Sequence, residues 1–206
     1  MAISKKIIGV VVLVIVGAIV LYAIYTNAPR ISESPLIPSQ IRSIIGSAPN
    51  IIKVSSAWFK PGGKIPLTCA YPRCGGSNLS PPLSWSNVPR NAKSLVVIVY
   101  DPDAPTGLFI HWILYNIPPT IDSLPEGVPH EPIVAGIGLQ AQNDFGEVGY
   151  GGPCPPPHSK HRYVFMVLAL DSKLNIKPGA PAREVLVALK GHVIAYGYTY
   201  GVFGVP

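Results

Sequence analysis

Proline interrupts this chain too often for long soluble helices. Twenty-four prolines are spread through 206 residues rather than gathered in one tail. Each fixes φ near about −65° and removes a backbone donor. The apolar segments between them are short. Leu95 to Val99 is an unbroken apolar run, the pattern of a buried strand. Tyr163 to Leu170 is a second. Leu83 and Trp85 alternate with serines, as on a half-buried strand. Ile51 to Ser55, His111 to Ile117 and His192 to Val202 read as further strands. Pro181 to Leu189 is the clear soluble helix. Pro181 suits the first helical position, Val185, Leu186 and Leu189 share a face, and Gly191 follows as a stop. Many short strands with one late helix predict a mainly β domain of antiparallel sheets.

The N-terminal region reads differently. Ile7 to Tyr25 carries no charge and is apolar all round. As a helix it would span roughly 28 Å, close to the hydrocarbon thickness of a bilayer. Lys5 and Lys6 precede it, which by the positive-inside rule puts the N-terminus in the cytoplasm. A cleaved signal peptide would share the basic start. Its apolar core, however, is usually about 7–15 residues, and Thr26-Asn27-Ala28 is a poor cleavage site. The expectation is one transmembrane helix within residues 1–26 and a Pro/Ser-rich tether over 27–50. A folded domain over 51–206 would then face outward from a single-pass membrane anchor.

Net charge is +6. No basic run is interleaved with aromatics, which argues against a nucleic-acid partner. Three cysteines are too few for a disulfide scaffold. Cys69 and Cys74 are close enough in sequence to bridge outside the cytoplasm. A pair with Cys154 is the alternative, and Cys154 also fits a small buried side chain.

Two constellations carry candidate chemistry. The first runs from Tyr100 to Trp112. Asp101 and Asp103 sit at the end of a strand in a turn stiffened by Pro102 and Pro105, with His111 opening the next strand. Asp in such a turn often only bonds nearby backbone donors. The second is Gly149 to Tyr163. Gly151 and Gly152 would let backbone approach a ligand closely. His158, Lys160, His161 and Arg162 are four potential cations, and Tyr163 adds a hydroxyl. Such a loop can present N–H donors to an anion. Ser159 lacks a nucleophile elbow, and no close metal-ligand spacing appears. No catalytic residue, metal or cofactor is assigned. Acid–base work by the acids and histidines on a phosphoester is the enzymatic alternative, but the chain reads as a binding module.

Together these segments resemble the phosphatidylethanolamine-binding protein family, also called Raf kinase inhibitor-like, and within it the bacterial and archaeal branch. The resemblance covers about Ile51 to Val202. It is carried by Asn78-Leu-Ser-Pro-Pro-Leu-Ser-Trp85, by Asp101-Pro-Asp-Ala-Pro105 with His111-Trp112, and by Asn143-Asp-Phe-Gly146. The last of these runs into Gly149–Pro156 and His161-Arg-Tyr163, and Gly191-His192 closes the series. The resemblance implies a large central antiparallel sheet, a smaller second sheet and a C-terminal helix. It implies a pocket for phosphate-like anions or a phospholipid headgroup. Asp101, Asp103 and His111 would form one wall, and Gly152, Pro153, His161 and Tyr163 the other. It makes Ala104–Pro105 and Gly152–Pro153 candidate cis peptides. It also implies protease or kinase partners, with Ile121–Pro132 as a loop that could enter a protease cleft. In this reading both histidines, and backbone N–H groups of the Gly-Gly-Pro turn, donate to the anion. Asp101 orients a histidine, and binding strengthens as pH falls from about 8 to 6.

Overall fold

The computed structural model describes residues 36–205. Two antiparallel sheets organise them. The six-stranded sheet contains β3 (Ser94–Asp101), β4 (Phe109–Ile117), β6 (Ile133–Val134), β7 (Gly138–Gln140), β8 (Lys160–Leu170) and β9 (Val193–Gly204), in the order β6-β7-β4-β3-β8-β9. The smaller sheet contains β1 (Lys53–Ser55), β2 (Leu83–Ser86) and β5 (Ser123–Leu124), in the order β1-β2-β5. The helices are α1 (Ser39–Ile45) and α2 (Ala182–Ala188). Two sheets and a late helix are as expected.

β3 is buried along its whole length, because it lies mid-sheet with a layer on each face. Side chains alternate between faces along a strand. Leu95, Val97 and Val99 therefore join the core that includes Leu83 and Trp85 of the smaller sheet. Val96, Ile98 and Tyr100 join the core that includes Ile41 and Ile44 of α1 and Val185 of α2. β8 divides in the same way. Tyr163, Phe165 and Val167 face the small sheet, while Val164, Met166 and Leu168 face the helices. Extended one step, this parity puts Asp101 and His161 on the small-sheet side.

The register of β4 breaks that parity. Val99 pairs with Trp112 and Tyr100 with Ile110, which leaves His111 as the extra residue of a β-bulge. Trp112 belongs to the small-sheet core and Ile110 to the helix-side core. A bulge kinks its strand and re-aims a side chain. Here it turns His111 to the same side as Tyr163, ring centroids 5.1 Å apart.

Two expectations are corrected. The transmembrane helix over residues 7–25 has no counterpart among the described residues, where no helix is long and apolar enough to cross a membrane. The helices there have 7 residues each, enough for about 10 Å against a hydrocarbon core of about 30 Å. Segment 1–26 itself lies outside the described residues. The single-pass anchor, with cytoplasmic N-terminus and extracytoplasmic domain, is therefore not supported. It rested on hydropathy, length and two flanking lysines, and hydropathy measures a preference for leaving water without separating lipid from a protein interior. The second correction concerns the peptide bonds. All of those described are trans, Ala104–Pro105 and Gly152–Pro153 included.

Part of the expected tether is folded. α1 buries Ile41, Ile44 and Ile45 against the sheet, and the Leu36 carbonyl accepts a hydrogen bond from the Tyr100 hydroxyl at 2.8 Å. The segment around Asn50–Lys64 runs along β9, bridging at Tyr196 and Val202. It passes so close that a Cβ on Gly197 would collide with the carbonyl of Ile52. Gly197→Ala should therefore lower the unfolding free energy by about 3 kcal/mol, the cost of overpacking against backbone that cannot yield. Urea denaturation of the two proteins measures it.

Candidate functional site

The site begins with a carboxylate that the sheet buries. Asp101 ends β3 with 3% of its surface exposed. A buried charge needs partners. One oxygen accepts the Asp103 backbone N–H at 2.7 Å, and the other accepts from His161 Nδ1 at 2.7 Å. Burial pushes the Asp101 carboxyl up, against the pull of the His161 hydrogen bond and charge. The His161 proton shared with Asp101 sits on Nδ1, so Nε2 is the ring nitrogen left for another partner.

Asp103 has a different task. Its Oδ2 accepts the backbone N–H of Arg162 at 2.9 Å and Arg162 Nε at 2.8 Å, while Oδ1 accepts Nη2 at 2.5 Å. This fork-on-fork pair clips the Asp-Pro-Asp turn to β8. Asp103 is not among the cavity-lining residues.

His111 is also tightly held. Its Nδ1 lies 2.6 Å from the Gly151 carbonyl, which can only accept, so Nδ1 carries the proton. In return, Gly151 N–H donates to the His111 carbonyl at 2.8 Å. Burial holds the imidazole down at about 4, although the Gly151 and Gly152 carbonyls favour its charged form. His111 is therefore neutral near pH 7, and its second nitrogen is an acceptor. The nitrogen expected to donate to an anion is thus engaged at Gly151.

The Gly-Gly-Pro turn holds the protein to itself. Gly152 N–H donates to Asn78 Oδ1 at 2.7 Å. A Cβ on Gly152 would strike the Cys69 carbonyl, and one on Gly151 the Phe145 ring. The Pro153 carbonyl accepts from Tyr71 N–H at 3.1 Å. Gly152 and Pro153 are absent from the cavity lining. Their close approach is to neighbouring chain, and their donors are engaged.

Asp101, His111, His161 and Tyr163 do come together, at a cavity of about 620 Å³. Burial pushes the Tyr163 phenol well above its ordinary value, with the Asp101 charge adding to it, so it stays a neutral hydroxyl. The remaining walls include residues that the sequence reading did not assign to a site. Phe109 and Phe145 meet edge to face at 4.8 Å, and Phe145 stacks on Tyr71 at 4.3 Å. Asn143 builds the turn that carries Phe145, its Oδ1 accepting the Phe145 N–H at 2.9 Å. Asp144 accepts the N–H of Ile110 at 2.7 Å, which ties that turn to β4. The quoted Asn143–Gly146 segment was the available signal for this wall. A disulfide joins Cys74 to Cys154 across 80 residues, and Cys69 is a buried free thiol. Both bridged cysteines line the cavity, as do Pro155, Pro156 and Pro157.

The His111 geometry makes a prediction. A histidine whose value falls from 6.5 to about 4 on folding takes up its proton first in the unfolded chain. Stability should therefore fall as pH drops from 6.5 towards about 4, by roughly 3 kcal/mol from this group, and change no further below that. In His111→Asn the amide can still donate to Gly151, and that acid-side loss should vanish. Urea denaturation of both proteins over this pH range gives the difference.

Comparison with known proteins places the whole arrangement. The family model for phosphatidylethanolamine-binding protein matches residues 55–204. A UPF0098 protein of Pyrococcus abyssi is 43% identical over 164 residues, covering 77% of this chain and 88% of that one. The UPF0098 protein YbhB of Escherichia coli is 38% identical over 149 residues, covering 70% and 94%. Among solved structures, a phosphatidylethanolamine-binding protein homologue from Chlamydia trachomatis superposes with a TM-score of 0.67 at 41% identity. It covers 76% of this chain and 99% of its own. E. coli YbcL, described as a member of the mammalian family, gives 0.71 at 34% identity, covering 75% and 99%. With its two sheets, its late helix and its match over residues 55–204, the chain belongs to the phosphatidylethanolamine-binding protein family.

Proposed function

We propose that the cavity binds a small phosphate-type anion, free or as the headgroup of an ester. The observation that carries this reading is the Asp101–His161 pair, buried at one end of the cavity with a 2.7 Å contact. Asp101 holds Nδ1, so His161 meets a ligand through Nε2. An anion accepts from Nε2 only when that nitrogen is protonated. The Tyr163 hydroxyl, which stays neutral, is a second donor lining the same cavity. His111 packs beside them as an uncharged ring. The Asp101 charge opposes a dianion, and the protonated ring offsets it. Anion binding therefore takes up a proton.

Two other readings have less support. A protease-directed role would need Ile121–Pro132 as a free extended loop. In the structure Leu124 and Val128 are buried, β5 pairs with β2, and the Gln140 amide donates to the carbonyls of Pro129 and Glu131 at 2.6 and 2.7 Å. No feature of the described residues favours a kinase partner. A phosphoester hydrolase would need a group to attack phosphorus, and the cysteines that line the cavity are joined to each other.

Calorimetry with inorganic phosphate and sulfate tests the proposal. Sulfate keeps its charge across the range, so its pH dependence reports the protein alone. Affinity for both should rise as pH falls from about 8 to 6, by at most about tenfold per unit, the limit for one linked proton. His161→Ala should abolish that dependence. Asp101→Asn, which removes the group orienting the ring, should weaken binding at low pH by about tenfold. Absence of binding at both pH values, or tighter sulfate binding at the higher one, would sink the reading.

A further inference from the structure

Arg73 is not part of the polar cluster of the cavity. It lies in the short 3-10 turn Pro72–Cys74, is exposed to solvent and lines the cavity. Among the described residues it makes no ion pair. The neighbouring charges are already matched, with Asp101 facing His161 and Asp103 gripping Arg162. The buried His111 ring is neutral near pH 7. A guanidinium keeps its charge at every working pH. Of the side chains lining the cavity, Arg73 alone carries a permanent positive charge with no described carboxylate against it.

Its turn is closed by Cys74 N–H donating to the Tyr71 carbonyl at 2.8 Å and Gly75 N–H to the Pro72 carbonyl at 2.9 Å, and is tied across the cavity by a covalent bond. Cys74 follows Arg73 directly and is bridged to Cys154. That bond ties the Arg73 turn to the wall formed by Pro155, Pro156 and Pro157. The prolines donate nothing, but the Pro153 carbonyl accepts from Tyr71 N–H at 3.1 Å, and the Pro156 carbonyl accepts from Ser159 N–H at 3.2 Å and from the Ser159 hydroxyl at 2.6 Å. Phe109 and Phe145 line the same cavity, so the surface it shares with Arg73 is largely apolar and aromatic.

We propose that Arg73 is the charge-selecting residue of this cavity, held at its rim by the Cys74–Cys154 bridge. The ligand class it selects joins one anionic group to an apolar or aromatic body. The proposal rests on the reading of the cavity as an anion site. It adds which residue reads the charge and what the rest of the ligand must be. A bare phosphate leaves the aromatic wall unused, and a neutral aromatic leaves Arg73 unpaired. A compound with both parts satisfies both surfaces.

Calorimetry on the full chain with phenyl phosphate, inorganic phosphate and benzyl alcohol tests it. Arg73 is exposed and unpaired among the described residues, so Arg73→Gln should fold normally. It should weaken phenyl phosphate about tenfold, the worth of one charge-assisted contact, and leave benzyl alcohol unchanged. The Cys74→Ser/Cys154→Ser double variant should lose affinity for phenyl phosphate to a similar degree while still unfolding cooperatively. Unchanged phenyl phosphate affinity in Arg73→Gln overturns the proposal. If His161→Ala then still removes inorganic phosphate binding, the anion site itself stands. Full affinity in the double variant overturns the role of the bridge. Binding of none of the three compounds by the wild-type protein overturns both the proposal and the site.

Discussion

A carboxylate at the end of a strand buried on both faces must be neutralised where it stands. Moving such a charge from water into protein costs several kcal/mol even after relaxation, and removing one partner of a buried pair costs about 3–5 kcal/mol. For Asp101 the partner is His161, on the strand that pairs with β3 in continuous register from Ser94↔Leu170 to Tyr100↔Val164. A shift of that register by one residue would send His161 to the helix face and leave Asp101 alone. The apolar pairing along β3 and β8 and the His161–Asp101 hydrogen bond at its end therefore support each other. The long dry run specifies the register, and the register delivers the histidine.

Much of this was legible in the sequence, because strand parity is a local property. The apolar runs at 95–99 and 163–170 mark strands buried on both faces, and the helix expected over Pro181–Leu189 is observed as Ala182–Ala188. The grouping of Asp101, His111, His161 and Tyr163 at one cavity came from the family resemblance. Parity alone would not have placed His111. Counted back from Trp112, it belongs on the helix side, and only the bulge between Val99 and Tyr100 brings it round. Bulges depend on how two strands compromise over length, which neither strand states alone. The pairing of Cys74 with Cys154 is equally non-local, and the nearer Cys69 is left buried and free. α1 shows a third limit. Three isoleucines among serines and prolines resemble a tether until the tyrosines of β9 and the Leu36–Tyr100 contact give them a surface.

The histidines, alike on paper, are separated by their partners. His161 faces a carboxylate, which can stabilise an imidazolium. His111 faces carbonyl oxygens inside an aromatic enclosure, where burial outweighs the favourable dipoles. Phe145 lies 5.4 Å from its ring, Phe109 4.9 Å and Tyr163 5.1 Å. That enclosure of rings lowers the local dielectric, in which a hydrogen bond such as Asp101–His161 is stronger. His111 therefore serves as packing and as a clamp on Gly151, while His161 is tied to the Asp101 carboxylate.

The proline wall completes this division of roles. Between Pro153 and Pro157 only Cys154 has a backbone N–H, because the other four residues are proline. A loop of that composition cannot form the nest of N–H donors that a glycine-rich anion loop provides. The two glycines before it direct their N–H groups to His111 and Asn78. The donors that line the cavity are therefore side chains, His161, Tyr163 and Arg73 among them. Prolines are well suited to such a wall. They present apolar surface, need no hydrogen-bond partner for a missing N–H, and lose little chain entropy when ordered. The bridge to Cys74 and the Tyr71–Pro153 hydrogen bond then join that stiff surface to the turn that carries Arg73, so the wall and the arginine share their supports.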